Sequence, residues 1–360
     1  MLRWCGWGLR GCPILSALPW RDSSSPGPIR WPMQQGGCWD ECEGRDKPMN
    51  VLVAGLGGIG GFLGAKLAAA YPPGSEHKVH FLARGAHLEA IKDRGLTLLS
   101  QGDSLVAHPW AAAMTADGWP GMDLVLLCVK GYDLEGILQA MEPVVSRSTL
   151  IVPLQNGIGA RSVVERHFCE ALVADGAMYV FAHIQSPGAI LHVGGPGRVV
   201  FGRDPGDQES LSPARDLLLA AGIQVKLVPR GDVEVWKKFV VLAAVAGSTA
   251  LHGEAVGEIL ADPSKTKLME GIMAEVISLA TASGVPLEKD LLERTMATSR
   301  SFPPKGKRSL LHDLEASRPS ELDWLLGRAL ELGRNLGVHL PVMEAVYQGI
   351  RARWLSQSPA

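Results

Sequence analysis

The stretch Met49-Asn-Val-Leu-Val-Ala54-Gly55-Leu56-Gly57-Gly58-Ile59-Gly60-Gly61-Phe62 decides how this chain folds. A short apolar run from Asn50 to Ala54 meets a cluster of glycines, and small or apolar residues then continue to Ala70. This order predicts strand, turn and helix, and glycines at 55, 57 and 60 reproduce the spacing of a dinucleotide-binding βαβ unit. Gly55 permits the tight turn, Gly57 lets the backbone approach a pyrophosphate, and Gly60 allows close packing of helix on strand. Leu56, Gly58 and Ile59 complete the loop, which delivers the phosphates to a helix N-terminus. The competing reading is a membrane helix from Val51 to Ala70, with small residues spaced by four. It is rejected because the glycines break a helix start, Lys66 sits inside the run, and no second apolar span or basic flank accompanies it.

Upstream, residues 1–48 show neither strand nor helix periodicity, and Pro, Gly and Trp interrupt every apolar run. Pro13 and Pro19 leave too short an apolar stretch for a signal peptide, and a transit peptide is only weakly indicated. The expectation is an extension without a fold of its own, with Met49 as the natural first residue. Four of the six cysteines lie there, leaving Cys128 and Cys169, so no disulfide framework and no metal site are expected.

Downstream, strands are predicted at Lys78 to Ala83, Asp123 to Val129 and Thr149 to Leu154, with β-like material from Leu96 onward and helices near Ala86 to Arg94, before Val145, and from Gly157 to about Phe168. Alternating strands and helices imply a parallel, doubly wound sheet. Ala189 to Gly202 alternates like a hairpin or a pair of short strands, and Gln224 to Val228 is a last β-like segment. Beyond Val235 nearly everything reads as helix: Trp236 to Leu251, Ser264 to Ser283, Leu287 to Thr298, and Ser320 to Asn335 closed by Gly337 and Pro341. The expected fold is α/β, an N-terminal Rossmann domain over residues 49–230 followed by an all-helical domain over 231–352.

Composition fits this plan. A chain of 360 residues with 46% hydrophobic and 20% charged residues has material for two cores. A formal charge of -2 and no long basic run exclude an electrostatic footprint for nucleic acid or an anionic membrane, which leaves a small molecule as the expected partner, and the lack of a disulfide framework makes the reducing cytoplasm the expected location. Cofactor choice is read at the end of the second strand. NAD-binding units place an Asp or Glu there, whereas Phe81-Leu-Ala83 runs into Arg84, whose guanidinium suits the 2′-phosphate of NADP(H). The ordinary alternative is a solvated loop arginine.

With these features in place the chain resembles the ketopantoate reductase (2-dehydropantoate 2-reductase) family over about residues 49 to 352. The resemblance rests on the glycine loop, Val129-Lys130 after a central strand, Leu154-Gln-Asn156-Gly157-Ile-Gly159, Trp236-Lys-Lys238, and Ser309 through Arg318-Pro-Ser-Glu321-Leu-Asp323. It implies an NADPH-dependent reductase that converts a 2-oxo acid to a 2-hydroxy acid, with 2-dehydropantoate, the precursor of pantoate in pantothenate biosynthesis, as leading substrate. A homodimer is compatible with it. Lys238 matches the family's general acid, and Glu321 acts with it in catalysis while meeting the substrate hydroxyl and the cofactor. By the same resemblance Lys130 and Asn156 match positions that meet the nicotinamide ribose and the substrate, and Ser309 matches the residue that binds the substrate carboxylate. Three of these residues have a plainer explanation: a solvated helix face for Lys238 with Lys237, a turn for Asn156-Gly157, and a first-turn carboxylate for Glu321.

The chain departs from the family where asparagines usually follow the acid lysine at four and eight residues. Leu242 and Ala246 stand there instead, making an apolar wall on that helix face. Thr249, eleven residues after Lys238, returns to nearly the same face and is the expected compensation. The apolar wall leaves open a bulkier, more apolar ketone or hydroxy acid, and a protein that binds NADP without turnover.

Overall fold

The computed structural model describes residues 47–203 and 207–355. The reading of the N-terminal extension therefore falls almost wholly outside the described residues.

Eleven strands form two sheets among the described residues. The first contains β1 (Asn50–Ala54), β2 (Lys78–Leu82), β5 (Ala111–Ala113), β6 (Leu124–Leu127), β7 (Leu150–Pro153) and β8 (Leu172–Val173), in the order β5-β2-β1-β6-β7-β8 and wholly parallel. This is the strand order of a Rossmann sheet, with its reversal between β1 and β6. β1 is buried on both faces because it lies at the sheet centre, in register with Lys78–Leu82 on one side and Leu124–Leu127 on the other. Helices α1 (Gly58–Ala70), α2 (Gly85–Arg94), α3 (Leu134–Met141) and α4 (Ala160–His167) connect the strands. Leu52, Leu127, Leu138, Met141 and Val164 share the core on one face, and Val53, Leu126, Leu63, Leu67 and Phe81 the core on the other.

A second sheet was not foreseen. It joins β3 (Leu96–Ser100), β4 (Asp103–Ala107), β9 (Asp175–Ser186), β10 (Ala189–Gly202) and β11 (Gln224–Leu227), in the order β11-β10-β3-β4 with β9 antiparallel to β10. The segment read as a hairpin or two short strands is therefore one long strand, with register shifts at Ala189/Ile190 and on both sides of Gly194, and its hairpin partner β9 lies upstream. α1 is sandwiched between the two sheets, with Ala182 of β9 over Gly58 and Ile190 of β10 over Gly61. That explains an apolar helix without a polar face, and no helix of the described residues is long and apolar enough to cross a membrane.

After α5 (Gln208–Ala220) and β11 the chain becomes helical: α6 (Gly231–His252), α7 (Val256–Ala261), α8 (Pro263–Ala282), α9 (Leu291–Arg300), α10 (Ser309–Glu315), α11 (Arg328–Leu336) and α12 (Pro341–Ile350). α6 is the axis of this half. Its Phe239, Val240, Ala243 and Ala246 pack with Ile272 and Val276 of α8 and with Met343 and Val346 of α12. The segment expected as one helix from Ser320 opens instead with a π-helical turn, Asp323–Gly327, and Pro341 begins a further helix rather than only closing one.

Candidate active site

Loops leave the carboxyl ends of β1, β2, β6 and β7, and each carries a residue singled out by sequence: the glycines, Arg84, Lys130 and Asn156. Open α/β sheets bind ligands at this edge, beside the point where strand order reverses.

The glycine loop is built for an anion. A Cβ on Gly60 would lie 1.8 Å from the Gly55 carbonyl oxygen, so only glycine lets α1 approach the strand end. A Cβ on Gly57 would meet nothing within 4 Å, so the space beside that backbone is clear of protein. Gly57 caps α1 without a side-chain acceptor, and no acidic residue occupies the first turn, leaving N–H groups and the positive end of the dipole for a pyrophosphate. The residues present thus fit a dinucleotide. Arg84 stands at the start of α2, exposed, and pairs at 2.6 Å with Asp133, three residues beyond Lys130.

Across from this edge, α6 presents two lysines with different fates. Lys237 pairs with Glu288 at 2.6 Å near the surface, as a solvated helix face would have it. Lys238 instead turns inward and donates to Asn156 Oδ1 at 2.9 Å. Burial pulls the Lys238 ammonium down to a pKa of about 8, against an upward push from the Glu321 carboxylate. Desolvation on this scale disfavours the charged form by about 3 kcal/mol and leaves a group that donates a proton readily near neutral pH.

Glu321 is 6% exposed. Its Oε1 accepts from the Gly131 N–H at 3.2 Å, and burial raises its carboxyl above the ordinary value, outweighing the downward pull of that N–H, Lys130 and Lys238. The side chain thus reaches to the β6 loop and does not cap its own helix. Lys130 donates to Asp313 Oδ2 at 2.5 Å. Burial would lower its pKa, but the hydrogen bond and charge of Asp313 prevail and raise it, so Lys130 stays a fixed cation. Arg318 holds the other oxygen of Asp313 at 3.1 Å. The π-helical turn after Glu321 directs Trp324 back to the sheet, where its Nε1 donates to the Asn156 carbonyl at 2.8 Å and its ring covers Gly131.

Lys238, Asn156, Glu321 and Lys130 therefore converge, with a proton donor, an amide, a buried carboxylate and a cation on one edge. Ser309 opens α10 as an exposed residue, next to Arg308, whose guanidinium lies 3.9 Å from the Phe302 ring centre. Leu242 is half-buried and Ala246 buried on the Lys238 face of α6, the apolar wall expected there. Thr249 does not compensate. It is 1% exposed, and its hydroxyl donates to Val245 and Ala246 carbonyls of its own helix, so its proton is committed and it is shielded from ligand. Asp133, Asp313 and Trp324 escaped the sequence reading. Asp313 lay within a quoted motif, but its value comes from a partner 183 residues away.

Comparison with known proteins bears on the whole arrangement. Residues 51–206 match the family model "Ketopantoate reductase PanE/ApbA", and residues 232–353 match its C-terminal counterpart. The 2-dehydropantoate 2-reductase of Mesorhizobium japonicum is 30% identical over 326 residues, covering 84% of this chain and 97% of that protein. The oxidoreductase YkpB of Bacillus subtilis is 27% identical, covering 84% and 98%. The crystal structure of 2-dehydropantoate 2-reductase from Methylococcus capsulatus superposes with a TM-score of 0.75 at 30% identity, covering 87% and 99%. The chain belongs to the ketopantoate reductase family, oxidoreductases that act on a ketone or CH–OH group.

Proposed function

We propose that the chain reduces a 2-oxo acid to a 2-hydroxy acid with NADPH, and that 2-dehydropantoate is its substrate. The observation that carries this reading is the Lys238 ammonium, held by Asn156 beside Glu321 at the ligand edge of the sheet. Residues 49–230 hold the nucleotide in this account, through Gly55, Gly57, Gly60 and Arg84, and residues 231–352 supply the substrate groups. A bound reduced nicotinamide supplies the hydride. As the ketone oxygen gains negative charge, Lys238 donates its proton to that oxygen, and its lowered pKa makes the transfer favourable near neutral pH. Asn156 holds the ammonium in place. Glu321, anchored by Gly131, accepts from the substrate hydroxyl, and Lys130 and Asn156 bind at the nicotinamide ribose. Ser309, open at the start of α10, receives the substrate carboxylate.

A second reading follows from Leu242 and Ala246. An apolar wall beside the acid offers no hydrogen bond to a polar side group, and favours a bulkier, more apolar 2-oxo acid. A panel of 2-oxo acids tested with purified protein and NADPH separates the two: highest kcat/KM on 2-dehydropantoate supports the first, and highest kcat/KM on an apolar or aryl analogue replaces it with the second.

A further inference from the structure

The strands that carry Arg84 and Asp133 are not neighbours. Arg84 follows β2 and Asp133 follows β6, and β1 with its glycine loop lies between them. Two inter-strand spacings separate β2 from β6, about 9.6 Å, yet the side chains meet at 2.6 Å. The pair is a strap across the carboxyl end of β1. A dinucleotide whose pyrophosphate sits on the α1 N-terminus directs its adenosine ribose toward the end of β2, so the ribose 2′ position lies against this strap.

From this geometry we infer that Asp133 is a specificity-determining residue that restrains the preference of the site for NADPH over NADH. The inference rests on the reading of Arg84 as the 2′-phosphate residue and deepens it. A 2′-phosphate takes the Arg84 guanidinium away from Asp133, or shares it with a carboxylate close to its own charge of nearly two negative units. Either arrangement weakens binding of NADPH. A 2′-hydroxyl has the opposite relation to Asp133, because the carboxylate oxygen accepts its proton, the role an acidic residue plays in NAD-binding sheets. Asp133 has no competing task in the structure. Its side chain does not cap α3, its only polar side-chain partner among the described residues is Arg84, and Arg84 is 70% exposed, so the ion pair adds little to folding.

The test is a titration of the purified protein with NADPH and with NADH, followed by reduced-nicotinamide fluorescence, for wild type, Asp133→Asn and Asp133→Ala. Removing the carboxylate charge is expected to raise the NADPH-to-NADH affinity ratio on the order of fivefold, since the lost repulsion is that of partly solvated charges. NADH affinity should hold or fall. A ratio that stays constant or drops in both variants overturns the inference, a drop meaning that Asp133 orients Arg84 for the phosphate. Wild-type protein that binds neither nucleotide overturns the proposed function itself, and this inference with it.

Discussion

In the proposed reaction the chemistry concentrates in one side chain, Lys238. An ammonium drawn inward from α6, with one amide oxygen as its hydrogen-bond partner, is costly to keep charged, and that cost makes it acidic. Because the folded pKa is about 8, below the ordinary lysine value, the protonated donor predominates below pH 8 and is lost above it. The rate of ketone reduction should therefore fall above pH 8, approaching about tenfold per unit, while the reverse oxidation, which needs the neutral amine, should rise over the same interval. Rates measured in both directions across pH 6 to 10 check this, and parallel profiles would contradict it. Lys237, one residue away, makes the natural control. Its pairing with Glu288 places it at the surface, and Lys237→Ala should change kcat less than about twofold.

At the scale of elements, the glycine loop divides into a position that serves the fold and one that the proposed function assigns to the ligand. Gly60→Ala drives a methyl into the Gly55 carbonyl and should lower stability by about 1–3 kcal/mol or more. Gly57→Ala meets no protein atom, and its φ of -68° suits any residue, so stability should stay within about 0.5 kcal/mol while nucleotide affinity drops at least tenfold. Denaturation and nucleotide titration of the two variants separate these effects, and a Gly57→Ala protein with unchanged affinity would remove the loop from the binding site. This element was legible because its pattern is local: apolar strand, fixed glycine spacing and apolar helix occupy consecutive residues. β9 was not legible. Its outer half is largely exposed and its meaning comes from pairing with β10, so no period announced it, and the Pro187-Gly188 turn that joins the two strands is a signal the reading passed over. Trp324 was hidden for a different reason, since an extra residue in a π-helical turn changes which side chain faces the sheet.

The whole molecule closes its site by bringing distant segments together. Lys238 meets Asn156 across 82 residues, Lys130 meets Asp313 across 183, and Glu321 meets Gly131 across 190. A motif indicates that such residues occur in order, and only the packing of α6, α10 and the turn after Glu321 against the strand ends shows which of them touch. Thr249 illustrates the limit: helical spacing put it on the right face, but the core buried it. Because the sheet edge and the helical half both contribute, bound NADPH should stabilise the protein as a unit, by about 2.7 kcal/mol at a hundredfold excess over Kd. A thermal-melt series in NADPH tests this, with a Tm independent of nucleotide concentration as the adverse result. The role of Lys238 is open to direct measurement by following NADPH oxidation when 2-dehydropantoate is added to wild type and to Lys238→Ala. Wild type should turn over, and kcat should fall by about 10²–10⁴ in the variant, with NADPH affinity largely retained. Undiminished turnover by Lys238→Ala would contradict that role.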